Sequence, residues 1–175
     1  MKTPALQPAG FLLCRCISPH LPRTGPQFWK RTAVLEAELS RSAAHPLAFE
    51  NAVAAAANAA KDTVSYLQMI AESSAFHIEQ AGESRSLYLR FAQNRKVSLE
   101  TAEGRAFLKD SIIRLSAVNA YITVGMLSVF SHMNACAPEL KAELMQMLCE
   151  IESAVSAGES PAVYQTVKQI LAAVE

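Results

Sequence analysis

Residues 115–138 read LSAVNAYITVGMLSVFSHMNACAP, from Leu115 to Pro138, and the fold turns on how this stretch is read. Arg114 precedes it and Glu139 follows it, with no formal charge between them. Apolar residues step along it at alternating gaps of four and three. The row begins upstream at Leu108 and Ile112 and continues through Leu115, Ile122, Met126, Val129, Met133 and Cys136. Asn119 takes the one polar place on it. A mean spacing of about 3.5 residues is that of a coiled-coil seam. Ile113, Val118, Val124, Leu127 and Phe130 occupy the other faces. A helix that is apolar on most sides is a buried one. The stretch is therefore expected to be the central helix of a small bundle, running from a cap at Ser98 to about Ala135. Leu115, Asn119, Ile122, Met126, Val129 and Met133 form the expected interaction seam, buried within the chain or against another copy or a helical partner.

Asn119 is the informative member of that seam. A buried asparagine must hydrogen-bond, and on a seam it fixes register or copy number while giving up stability. Otherwise it faces a polar edge or a backbone carbonyl.

The flanking sequence is helical too. Half of the 175 residues are apolar and only six are glycine. Ala, Leu, Glu and Met outweigh β-branched runs, so the chain is expected to be all-α, with about four to five helices in one domain. Upstream, Phe49, Val53, Ala56, Ala60, Val64, Leu67 and Ala71 follow a helical stripe, with Gly82 as a break or bend. Ser84–Lys96 resumes the pattern. Downstream, Pro138 suits the first turn of a new helix with Leu140, Leu144, Met147, Leu148, Ile151 and Val155 on its apolar face. Gly158 is the expected stop, and Ser160-Pro161 starts the last helix. So short a connection makes the last two helices an antiparallel hairpin.

Six of the eight prolines lie within residues 1–46. They disrupt any hydrophobic period, so this segment is expected to be a mostly disordered tail ahead of a helical domain at 47–175. Thr32–Ser42 is the one short helix expected in it. The opening is acid-free and contains arginine, as in an organellar presequence. Its early prolines oppose the amphipathic helix that a presequence needs.

Net charge is zero but unevenly placed. Residues 1–35 hold five basic residues and no acid, and 36–84 hold seven acids against two bases. Residues 85–114 hold seven bases against three acids, and 139–175 hold six acids against two bases. The expectation is that oppositely charged helix surfaces face one another and water. The alternative is a basic face of Arg85, Arg90, Arg95, Lys96 and Arg105 for an anionic partner. No interleaved stacking aromatics or nucleic-acid motif supports specific nucleic-acid binding.

Catalytic signatures are sparse. Glu-x-x-His pairs, HExxH, a Gly-rich phosphate loop and GxSxG are all missing from the sequence. His132 and Cys136 stand four apart, as half a metal site, with no second ligand pair at metal spacing. Cys14, Cys16 and His20 form a ligand-like group short of a fourth member. No cofactor or metal is expected. The four cysteines show no disulfide framework, so a reducing, cytoplasmic compartment is expected. The uncharged run is long enough to span a bilayer, but Asn119, Thr123, Ser128, Ser131, His132 and Asn134 lower its hydropathy. A buried helix accounts for it and for the seam as well.

Phe49-Glu50-Asn51-Ala52-Val53 ahead of an Ala-rich helix is similar to the small self-assembling R-body proteins of bacteria. The long Ala-rich helices also resemble phasins, which coat storage granules. These features together read as a non-enzymatic, bacterial helical protein that interacts with itself or with a partner protein. The alternatives are a membrane- or apolar-surface-associated coat, and an enzyme with a buried pocket.

Overall fold

The structure, a computed structural model, describes Ala37 and residues 45–59 and 62–174. The expected tail lies outside the described residues except at its last two positions and at Ala37, which is helical. Of the short helix expected over residues 32–42, all but Ala37 lies outside them as well.

Among the described residues the chain forms eight helical rods and no strand, rather than four or five helices. They are α1 (Pro46–Ala57), α2 (Thr63–Glu72), α3 (81–93), α4 (Arg95–Ser98), α5 (Ala102–Ser116), α6 (120–135), α7 (Pro138–Ala154) and α8 (Pro161–Val174). The α3 rod runs from Ala81–Ser84 through a π-helical turn, Arg85–Leu89, into Arg90–Gln93. The α6 rod is α-helical over Ala120–Leu127 and 3₁₀ over Ser128–Ala135.

The extra helices come from breaks that the apolar rows do not mark. The first stripe splits between Ala57 and Thr63, and Asp62, just ahead of α2, adopts a positive φ of 55°. Asn94 stitches that break from a distance, its Nδ2 donating to the carbonyls of Ala57 and Ala59, both at 3.1 Å. These acceptors lie at the loose end of α1, where carbonyls lack helical partners. Gly82 falls in the first turn of α3 rather than ending a helix, because residues 73–80 already form the connection.

The expected central helix from Ser98 to Ala135 is also broken. Ser98 closes α4, its hydroxyl donating to the Ala92 carbonyl. The cap of α5 is Thr101, whose Oγ1 accepts from the Gly104 amide at 3.0 Å. Gly104 serves packing there, since a Cβ would run into the Val97 carbonyl. α5 then ends at Ser116, and residues 117–119 turn the chain. Asn119 caps α6, its Oδ1 accepting from the Ile122 amide at 3.1 Å while its carbonyl accepts from Thr123 Oγ1 at 2.9 Å. Its side chain thus satisfies a helix end rather than setting the register of a continuous seam. In the 3₁₀ part, Ser128 Oγ donates to the Gly125 carbonyl at 2.7 Å, and His132 has non-helical φ and ψ.

At the other end, Pro138 and Pro161 open α7 and α8 as the sequence indicates. α7 stops at Ala154, and Gly158 lies in the connecting turn. Lys141 Nζ, at the start of α7, donates to the carbonyl of Val174 at the end of α8, as an antiparallel hairpin requires.

Packing links helices one to three places apart in the chain. α1 lies on α2 and α3, α3 on α6, α5 on α6 and α7, and α8 on α6 and α7. One core joins them all, from Phe49 and Val53 in α1 to Val163 and Val167 in α8. Its aromatic centre is Phe76, Tyr88, Phe91 and Phe107, with Phe91 edge-on to Phe107 at 5.1 Å between centroids. Full burial of each Leu, Ile or Phe contributes roughly 1.5–3 kcal/mol.

Two variants test this description. Loss of the cap through Asn119→Ala should cost about 0.5–2 kcal/mol without changing the mass in solution. A rise in melting temperature or a new oligomer would restore the register reading. The Tyr88 hydroxyl is buried without a hydrogen-bond partner. Burial pushes its phenol above the ordinary range, and the Arg114 charge only partly offsets this. Tyr88→Phe removes an unpaired buried group whose burial costs about 1–3 kcal/mol, so it should hold or raise the unfolding free energy. A clear loss on denaturant unfolding would show that the hydroxyl is satisfied in solution.

Candidate functional site

The seam residues are collected inside the chain. Leu115, Ile122, Met126, Val129 and Met133 all belong to the single core, and Asn119 is half-buried at the turn between α5 and α6. Leu115 and Met126 are fully enclosed. The apolar row is therefore an internal contact of α5 and α6 with their neighbours.

One concave feature among the described residues is a groove of about 220 Å³ between α5 and α7. The Thr101 cap and the close approach at Gly104 fix where α5 starts, and so place Arg105 and Lys109 one turn apart on its outer side. Across the groove, Glu143 and Glu150 stand two turns apart on α7, with Met147 between them. Arg105 pairs with Glu143, and its Nη1 also donates to the Leu99 carbonyl at 2.7 Å. Lys109 Nζ donates to Glu150 at 2.8 Å, and Gln146 donates to the other oxygen of the same carboxylate. The hydrogen bond to Glu150 raises the Lys109 ammonium above its ordinary range, and the same bond from Lys109, then that from Gln146, lowers the Glu150 carboxyl. Asp110 is raised, chiefly by desolvation. The groove thus holds two ion pairs that clamp α5 to α7.

This is how the basic segment partly meets the acidic one, as expected from the charge layout. Arg105 and Lys109 take α7 carboxylates, whereas Arg85, Arg90, Arg95 and Lys96 are exposed on α3 and α4. The steps of four (105, 109) and seven (143, 150) face each other only once the helices are placed, so the sequence showed the charge blocks and not these pairs.

His132 and Cys136 do not form a metal corner. Cys136 Sγ is turned to the His132 backbone carbonyl at 3.8 Å, and among the described residues no three ligating side chains converge. Cys14, Cys16 and His20 lie outside the described residues. Among those residues, no helix is long and apolar enough to cross a membrane. The tyrosines separate by environment. Tyr88 is in the core, Tyr164 lies beneath Lys168, and Tyr121 is 80% exposed. Val118, 45% exposed, lies one turn before it at the bend between α5 and α6. Read as part of a buried helix, this pair gave no sign of its exposure.

The ion pairs carry a pH signature. The lowered Glu150 carboxyl contributes stability above the unfolded carboxylate range, and this is lost as pH falls through its folded value. The raised Lys109 ammonium contributes below the unfolded lysine range, and this is lost as pH rises through its folded value. Between those limits Glu150→Gln should melt below the native protein, and the gap should close in strong acid and shrink with added salt. A gap that stays constant in acid would place the effect of Glu150 outside the pair.

A family described as "Domain of unknown function (DUF3458_C) ARM repeats" matches residues 25–172. No curated protein matches the sequence. Among solved structures, the crystal structure of Legionella pneumophila aminopeptidase A in complex with aspartic acid superposes with a TM-score of 0.69 at 19% identity. The likeness covers 83% of this chain and 17% of that one, so this chain spans a small part of that protein's length, and at this identity the likeness shows the fold. Helices packed on near neighbours in the chain over a continuous core are what such repeats form. The match sets aside the R-body and phasin resemblances. On a match over most of its length, the chain belongs to the DUF3458_C family of ARM-repeat domains, a domain of unknown function.

Proposed function

We propose that this domain is a non-enzymatic helical-repeat scaffold whose outer surface engages protein, another copy or a different partner. The observation that carries the reading is the exposure of Tyr121 and Val118 at the α5–α6 turn, while the apolar seam is buried inside the chain. A tyrosine supplies large contact area at low entropic cost and is enriched among residues that dominate binding. Tyr121 and Val118, rather than the seam, are therefore assigned to the contact. Stacked helical repeats also present extended binding surfaces as their usual role. Cys136 and Cys149 are free thiols, in keeping with a cytoplasmic location.

A second reading draws on the aminopeptidase likeness. In it the domain serves as a helical portion of a longer peptidase-like polypeptide and supplies no catalytic group itself. The α5–α7 groove fits this reading, since its cations and carboxylates neutralise one another.

A photo-crosslinking residue at position 121 tests the proposal, with the exposed Gln169 position on α8 as control. Discrete adducts from position 121, at twice the chain mass or with a second protein, and none from 169, are expected. Equal or absent labelling at both positions would refute the contact. The purified chain should leave aminoacyl anilides uncleaved with or without zinc. Metal-dependent cleavage would refute the non-enzymatic reading.

A further inference from the structure

We propose that α3 and α4 form a docking strip for an acidic protein segment, with Arg85, Arg90, Arg95 and Lys96 as its contacts. The inference rests on the reading of this domain as a protein-binding scaffold and names a second surface and its chemistry.

All four side chains are exposed. Among the described residues no carboxylate pairs with any of them, whereas the next two cations along the chain, Arg105 and Lys109, are both paired to α7. The sequence from Ser84 to Leu99 contains no acid. The flanking acids do not neutralise the strip. Glu83 is engaged at His77, accepting from the His77 amide at 2.6 Å with the imidazole Nδ1 at 3.6 Å. Glu100, four residues beyond Lys96, makes no ion pair with it.

The π-helical turn supplies the geometry. The Arg90 amide donates to the Arg85 carbonyl, a bond between residues five apart. That bond stacks the two positions over one another along the rod. In a regular α-helix, residues five apart point about 140° away from each other. The inward side of the same turn holds Leu87, Tyr88, Phe91 and Ala92 in the core, which leaves Arg85 and Arg90 together on the outward side. π-helical turns occur frequently at functional sites. Arg95 and Lys96 extend the charge onto α4 just past the Asn94 bend.

The partner chemistry follows from what the strip offers and lacks. Three of the four cations are arginines, whose planar fork matches a carboxylate with two parallel hydrogen bonds. A single-stranded nucleic acid needs exposed aromatic faces for stacking. The aromatics of this segment, Tyr88 and Phe91, are 2% and 0% exposed. Carboxylates on a protein segment are thus the better fit than a single-stranded nucleic acid.

The test measures binding of labelled poly-L-glutamate to the full chain by fluorescence anisotropy, with duplex DNA of similar length as the second probe. Arg85→Gln/Arg90→Gln should weaken poly-L-glutamate binding about tenfold, the loss expected when two exposed charge contacts of somewhat under 1 kcal/mol each are removed. Arg114→Gln, an exposed arginine on α5 and not a member of the strip, should leave it unchanged. The melting temperature of each variant should stay at the native value, since both replacements are on the surface. Equal binding by native and double-variant proteins would overturn the proposal. So would an equal loss in Arg114→Gln, or tighter binding of DNA than of poly-L-glutamate. If the strip fails while position 121 still gives discrete adducts, the strip is wrong and the scaffold reading stands. Failure of both removes that reading.

Discussion

The corner where α5, α6 and α8 meet depends on one hydrogen bond between segments far apart in sequence. Ser160 Oγ donates to the Ser116 carbonyl at 2.6 Å, in a site closed to solvent. That carbonyl sits at the last turn of α5, where a helix leaves its oxygens without internal partners. The bond ties the start of α8 to the end of α5 just where the chain turns through residues 117–119. Ser116 Oγ bonds back to the Ile113 carbonyl at 2.7 Å, and Asn119 caps the next helix. Local side-chain bonds of this kind compete with continued helix. Here they win, since the turn returns α6 against α5 and lets Leu115, Ile122 and Met126 enter one core.

The helical class, the apolar faces and the proline starts of α7 and α8 were legible in the sequence because burial and φ restriction are written in residue type. The breaks were less so. The row from Leu108 to Cys136 keeps its four-three step across the turn, so periodicity alone joins two helices that Asn119 separates. A polar residue on an apolar row admits two explanations, a register-setting seam position or a cap. Only the placement of Ile122 above it decides for the cap. Asn58 and Asn94 sit at two of the other breaks, the first donating to the Ala54 carbonyl and the second across to Ala57 and Ala59. Asparagines at junctions were thus the available signal. Gly104 allows α5 to start against the Val97 carbonyl, a close approach that no apolar row announces.

The charge layout was readable as blocks and unreadable as pairs. Opposite blocks at 85–114 and 139–175 foretell an attraction, and α5 with α7 realises it through Arg105–Glu143 and Lys109–Glu150. Which cations remain over depends on the π-helical turn in α3, and no residue in RSLYL announces one. The exposed Tyr121 was hidden for a related reason. A central helix was expected to be buried on most sides, and the break at 117–119 turns part of that stretch to the surface. The candidate surfaces are therefore the parts of the molecule that depend most on where the helices stop.

Apart from the half-buried Asn119, the row from Leu108 to Met133 is buried within a single chain. The concentration dependence of thermal unfolding tests it most directly. Followed by circular dichroism over about a hundredfold range of concentration in a Tyr121→Ser variant, which removes association between copies through that exposed side chain, the midpoint should stay constant, because a core closed within one chain gains nothing from a second. A midpoint that climbs steadily with concentration would contradict the account and place the row at an interface between copies.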